Sequence, residues 1–273
     1  MFRWIVAALM ASAFVAPAVE AQERKRLGYG LLLNNDVIDG GRDRWRTGGL
    51  QSSRIWGPTW TGTAPAGFGQ LLELRLGAEI ITPEDLRVVS DSDRRYAGAL
   101  SVGLHTHFQR GMTEYAVGGD LVVVGPQTGL DGFQDAVHDF LSVPRPSDAV
   151  RDNQIGDAVN PTAVVEIGQN FAINPTTTLR PFLEARAGNE TLARVGFDLT
   201  FGDFGRGALQ VRDSVTGQRY RALRQTGPGT VLCWVRMSPT CWTVNFCPTM
   251  ILSASMKAAS VCGLASTGAA RPA

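Results

Sequence analysis

The chain has 273 residues, with 26 Lys and Arg against 25 Asp and Glu and a formal net charge of +1. Beyond the first 21 residues no run is long and apolar enough for a transmembrane helix, and no phosphate loop, dinucleotide fingerprint or nucleic-acid motif occurs. A helical membrane protein, a nucleotide-dependent enzyme and a nucleic-acid partner are thereby excluded.

Residues 1–21 read as a secretory signal. Arg3 precedes an apolar run from Trp4 to Val19, broken by Pro17, and small residues at Val19 and Ala21 precede Gln22. Cleavage is expected after Ala21. An exported chain that ends in a membrane without spanning helices must do so as a barrel.

The next segment, from Leu31 to Gly49, is an apolar strand running into Asn35 and Asp36, a polar loop, and a return through Thr47-Gly48. An amide, a carboxylate and a hydroxyl therefore meet at one hairpin tip. Hard oxygen ligands gathered in this way suit Ca²⁺.

From Phe68 to Ile80, Leu72, Leu74, Leu76, Ala78 and Ile80 alternate with Glu73, Arg75, Gly77 and Glu79. The same period of two recurs from Leu100 to Phe108, from Glu114 to Val123 and from Arg194 to Phe201. Each run is about ten residues or longer, the length a tilted strand needs to cross a bilayer. A soluble sandwich commonly uses strands of about five or six residues. Residues 22–225 are therefore expected to form an antiparallel transmembrane β-barrel with a polar lumen. Glu73, Glu79 and Arg75 are expected to pair there, and His105 and His107 to line it. Strand parity puts the tight turn at Gln109-Arg110-Gly111 on the periplasmic side. The connections 36–46, 81–95 and 125–160 then share the outer rim.

Within the last of these, residues 131–141 form a helical pattern. Asp131 is expected to cap it, Phe133, Val137, Phe140 and Leu141 to form an apolar side, and Pro144 and Pro146 to end it. Gln134 and His138 are four apart and share a face. A histidine can take a proton from water, and a cation can polarise an ester carbonyl. From this segment alone, His138 reads more readily as a polar helix residue on a surface loop. No Gly-x-Ser-x-Gly elbow is present.

All Asp and Glu lie at or before Asp213, so residues 1–213 carry a net −5, while the last 60 residues hold six basic residues and no acid. The four cysteines, Cys233, Cys241, Cys247 and Cys262, fall in this tail too, without metal-ligand spacing. Residues 226–273 are read as an atypical tail, disordered or out of frame.

Several motifs recur in one order: Asn35-Asp36, Asp43-Arg44, Thr47-Gly48, Thr82-Pro83, Asp93-Arg94-Arg95-Tyr96-Ala97-Gly98, Gly125-Pro126, then Gln134 and His138. Over about 110 residues they resemble the LpxR-type outer-membrane lipid A 3′-O-deacylases. The resemblance implies a twelve-stranded barrel in a Gram-negative outer membrane, surrounded by its lipids, that hydrolyses the 3′-linked acyloxyacyl ester of lipid A in lipopolysaccharide with Ca²⁺. Carried onto this chain, it makes His138 the general base and Asp36 the principal Ca²⁺ ligand. Asn35, Thr47 and Gln134 would order water, metal and substrate, and Arg87 and Tyr96 would contact substrate. Two departures stand out: Thr47 is followed directly by Gly48-Gly49, and a phosphate-binding lysine has no clear equivalent. Residues 22–225 also offer only eight or nine strands. The rival readings are a non-catalytic barrel, either a pore or a structural protein, and an inactive truncated copy.

Overall fold

The computed structural model describes residues 24–35, 45–142, 145–202, 205, 207–224, 236–237 and 242–243. The expected signal peptide, Asp36 and almost all of the atypical tail lie outside the described residues. No helix among the described residues is long and apolar enough to cross a membrane.

The architecture is a nine-stranded antiparallel sheet. Its strands are β1 (Lys25–Asn35), β2 (Trp45–Gly57), β3 (Leu71–Thr82), β4 (Ala97–Arg110), β5 (Thr113–Val124), β6 (Ala158–Gln169), β7 (Phe171–Asn174), β8 (Thr177–Ala187) and β9 (Leu192–Phe201). Neighbours in sequence pair in space as far as β6, β8 pairs with both β6 and β7, and β9 pairs with β8. The strands expected between residues 28 and 124 are found with bounds shifted by up to three residues and alternate in direction, and the β4–β5 turn sits at Gly111, whose φ of 59° suits glycine.

The sheet is polar inside and apolar outside. On β3 the buried positions include Glu73 and Arg75, while Leu72, Leu74 and Leu76 are only half-buried. On β4, Leu100, Val102 and Leu104 are exposed, and His105 and His107 are buried. This inversion is what a wall between hydrocarbon and a polar lumen requires. The fold is thus the wall of an antiparallel transmembrane β-barrel, open along one side, with short helices in an outer-rim loop.

Lumen charges are buried and therefore must be paired. The Glu73 carboxylate accepts from Arg75 Nε at 3.0 Å and Nη2 at 2.8 Å, from Ser53 Oγ, and meets His107 Nε2 at 2.7 Å. His105 Nε2 lies 2.7 Å from Asp120 Oδ1. Glu79 departs from expectation, pairing with Arg46 at 3.1 Å. Arg75 is instead held by Glu73, its neighbour on the same strand face.

A hairpin of two further strands, β10 (Leu209–Arg212) and β11 (Arg219–Leu223), enters the lumen. Gly30 permits this, because a Cβ there would lie 2.5 Å from Arg221 O. Leu209, Val211, Ala222 and Leu223 form an apolar cluster with Ile55 and Leu71. Arg212 donates to Glu166 at 3.0 and 3.1 Å and to Asp198 at 2.7 and 3.1 Å, and stacks 3.5 Å over the Phe182 ring. Asp213 accepts from Arg46 Nη1 at 2.8 Å. A cavity of about 60 Å³ remains between the hairpin and β3–β5.

Replacing Arg212 by Met would leave two buried carboxylates, Glu166 and Asp198, to share Arg180, which lies 2.8 and 3.3 Å from them, at a cost of about 3–5 kcal/mol. We expect the folded, heat-modifiable band of unboiled gels to vanish at a lower temperature than in the wild type. An unchanged transition would show that the hairpin does not hold the wall together.

Candidate active site

The outer rim is assembled by strand register. Asn35 pairs with Gly48, Gly48 with Ile80, and Ile80 with Gly98, so four strands share one row at the top of the wall. Thr47 sits in the bulge between Arg46 and Gly48 and is buried. Bulges re-aim side chains at functional rims. Of Asn35 only the backbone is described. Thr47 and the end of β1 are thus brought to one rim, as the hairpin motif implied.

The rim loop 125–160 carries a 3₁₀ turn (Pro126–Thr128), helix α1 (Leu130–Leu141) and helix α2 (Asp148–Asp152). The helix expected at residue 131 begins one residue earlier, and its N-cap is Gly129 with left-handed backbone, not Asp131. Asp131 instead meets Arg151 at 3.2 Å, which ties α1 to α2. Gly98 seats the start of α1 against the wall. A Cβ at that position would meet Thr128 Oγ1 at 2.6 Å and Leu130 Cβ at 3.1 Å. Leu130 also packs against Ile80, Tyr96 and Val150.

Gln134 and His138 are the two buried side chains of α1. The Tyr96 hydroxyl donates to Gln134 Oε1 at 2.6 Å. Gln134 Nε2 then lies 3.3 Å from His138 Nε2. With Tyr96 donating to Gln134 Oε1, the amide N–H faces Nε2 of His138, and in that arrangement the ring accepts at Nε2 and carries a proton on Nδ1.

Tyr96 is buried and engaged by Gln134, so its hydroxyl sits within the site's support. Arg87 is exposed on the loop 81–95, whose main chain is held by Ser147 through bonds to Leu86 O at 2.8 Å and Arg87 O at 2.9 Å. Residue-level reading missed Arg46, buried one position before Thr47, and Gly98, the seat of α1. The Tyr-Ala-Gly motif contains the latter, but only register reveals what it touches. No group of three or more His, Cys, Asp or Glu suited to a metal occurs among the described residues. Two oxygens of the kind a hard cation takes are present at the rim: Thr47, and Thr82, wholly buried and paired in register with Trp45, whose hydroxyl has no hydrogen-bond partner.

A lipid-facing antiparallel wall, a charged lumen and a polar site at one rim define a transmembrane β-barrel protein. The family described as outer membrane protein LpxR matches residues 4–231. This chain belongs to that family. Among solved structures it is similar to LpxR from Salmonella typhimurium, with a TM-score of 0.51 and 19% identity, covering 64% of this chain and 63% of that one. At that identity the likeness is one of fold, and the chain spans less than two thirds of that protein's length. No curated protein matches.

Changing Tyr96 to Phe leaves Gln134 Oε1 buried without its donor, an omission worth about 1–3 kcal/mol. The amide is then free to turn. We expect ¹⁵N spectra of the His138 ring to show one Nδ1-protonated form in the wild type and mixed tautomers in the variant. Identical spectra would mean that Tyr96 does not orient the pair.

Proposed function

We propose that this chain is an outer-membrane carboxylic ester hydrolase that removes the 3′-linked acyloxyacyl group of lipid A at the outer leaflet, with Ca²⁺. The observation that carries the reading is the buried Tyr96, Gln134 and His138 chain at the outer rim of a wall belonging to the LpxR family. Lipopolysaccharide occupies the leaflet that this rim faces.

In this reading a water enters between the Gln134 amide and His138. Gln134 orients it, and Nε2 of His138 takes its proton as the water oxygen attacks the ester carbonyl. The same proton passes from the imidazolium to the departing sugar oxygen, which leaves as the 3′-hydroxyl, while the acyl group leaves as a carboxylic acid. Asn35 and Thr47 order water and substrate at the rim row. Arg87, exposed on the neighbouring loop, suits a lipid A phosphate. Tyr96 acts on the reaction through Gln134. Asp36 and Thr47 would hold Ca²⁺, which when bound polarises a carbonyl oxygen and stabilises the oxyanion. The pore alternative needs an open lumen, and the β10–β11 hairpin lies across it.

Lipid A from cells expressing the wild type should lose the mass of the 3′-linked acyl groups. His138→Ala should slow that loss by about 10²–10⁴-fold. Chelation of Ca²⁺ in isolated outer membranes should stop it, with Ca²⁺ restoring it better than Mg²⁺, because the smaller ion keeps its waters. Spectra unchanged between wild type and His138→Ala would favour a non-catalytic barrel or an inactive copy.

A further inference from the structure

Helix α1 carries three distinct faces. Gln134 and His138 point into the rim and are buried. Gly132, Ala136 and Asp139 occupy an exposed, weakly polar side. Phe133, Val137, Phe140 and Leu141 follow the i, i+4, i+7, i+8 spacing of one stripe. Among the described residues that stripe is largely uncovered: Phe133 is 63% exposed, Phe140 88% and Leu141 52%, with Val137 half-buried. The sequence pattern predicts this apolar side, and the structure turns it outward, because the polar pair takes the inward position.

What lies against the stripe follows from where the helix is seated. Gly98, on which Leu130 rests, belongs to the same face of β4 as Leu100, Val102 and Leu104, the face turned to lipid. Directly below it, Leu100 pairs with Val123 and Val123 with Val159, and Leu100 and Val159 are exposed. The α1 stripe therefore continues the apolar band of the wall at its upper edge. Arg87 and Arg95 are exposed on the adjoining loop, at the level where anionic headgroups begin. We propose that the Phe133, Val137, Phe140 and Leu141 face of α1 is an interfacial anchor that lies in the acyl boundary of the surrounding leaflet. A helix apolar on one side and polar on another takes this position in a membrane plane. The anchor rests on the barrel wall and stands apart from the hydrolysis proposed above.

The test uses the full chain with Cys233, Cys241, Cys247 and Cys262 replaced by Ser, refolded into phosphatidylcholine vesicles containing lipopolysaccharide. A spin label is attached at Phe140→Cys or, as control, at Ala136→Cys. Relaxation by oxygen, which concentrates in hydrocarbon, is compared with relaxation by a water-soluble nickel chelate. We expect the oxygen-to-nickel ratio at position 140 to exceed that at position 136 several-fold. Equal, water-like ratios would overturn the proposal, and so would protection of position 140 from both reagents, which would mean that protein covers the stripe. Lipid A mass spectra of the same samples separate the two readings: a lipid-like label with no deacylation leaves the anchor standing and refutes the hydrolase.

Discussion

From β3 to β9 the long strands alternate polar or small side chains with apolar ones, and this period of two constrains the rest of the molecule. A slip of one residue in any register would carry Glu73, Asp120, Glu166 or Asp198 into lipid and turn leucines into the lumen. Because the lumen is dry enough to bury these groups, each must find an opposite charge or a donor. The network that results runs from β2 through β9 and closes on Arg212 and Asp213 of the inserted hairpin. Replacing any single member removes part of what compensates a buried partner, so the network is worth more for specifying register than for net stability.

The alternation also decides where chemistry can be placed. Along the wall, polar groups face the lumen and are consumed by ion pairs. A polar site on the lipid side is possible only at the rim, where alternation ends and a loop can fold back over the wall. Gly98 is the position that allows this, since a side chain there would collide with the start of α1. The helix then turns Gln134 and His138 toward Tyr96 and leaves its aromatic residues outward. The reversed polarity of α1 and the inverted polarity of the sheet have one cause: the medium outside is apolar.

Much of this was legible in the sequence because strand patterns are local. Residues 71–124 alternate so regularly that strand positions, the Gly111 turn and the rim loops follow from counting. The family resemblance brought Tyr96, Gln134 and His138 into one set, although Tyr96 was read as a substrate contact and is found holding Gln134. The β10–β11 hairpin was not legible, because strands of four and five residues carrying Arg212, Arg219 and Arg221 resemble any further barrel strand. Nor was the pairing of Glu79 with Arg46, which depends on a bulge that periodicity does not register. Asp131 looked like a cap since Asp is favoured there, but Gly129 reaches the left-handed conformation that the junction with the preceding turn requires.

The central claim is that α1 is clamped to the lipid-facing side of the wall at Gly98 and so holds His138 in a working position. Gly98→Val would drive a side chain into Thr128 and Leu130 and lift the start of α1 off the wall. Outer membranes holding this variant should keep the folded, heat-modifiable band of the wild type while the loss of acyl groups from lipid A falls sharply. A Gly98→Val variant that folds and strips acyl groups at the wild-type rate would contradict the account.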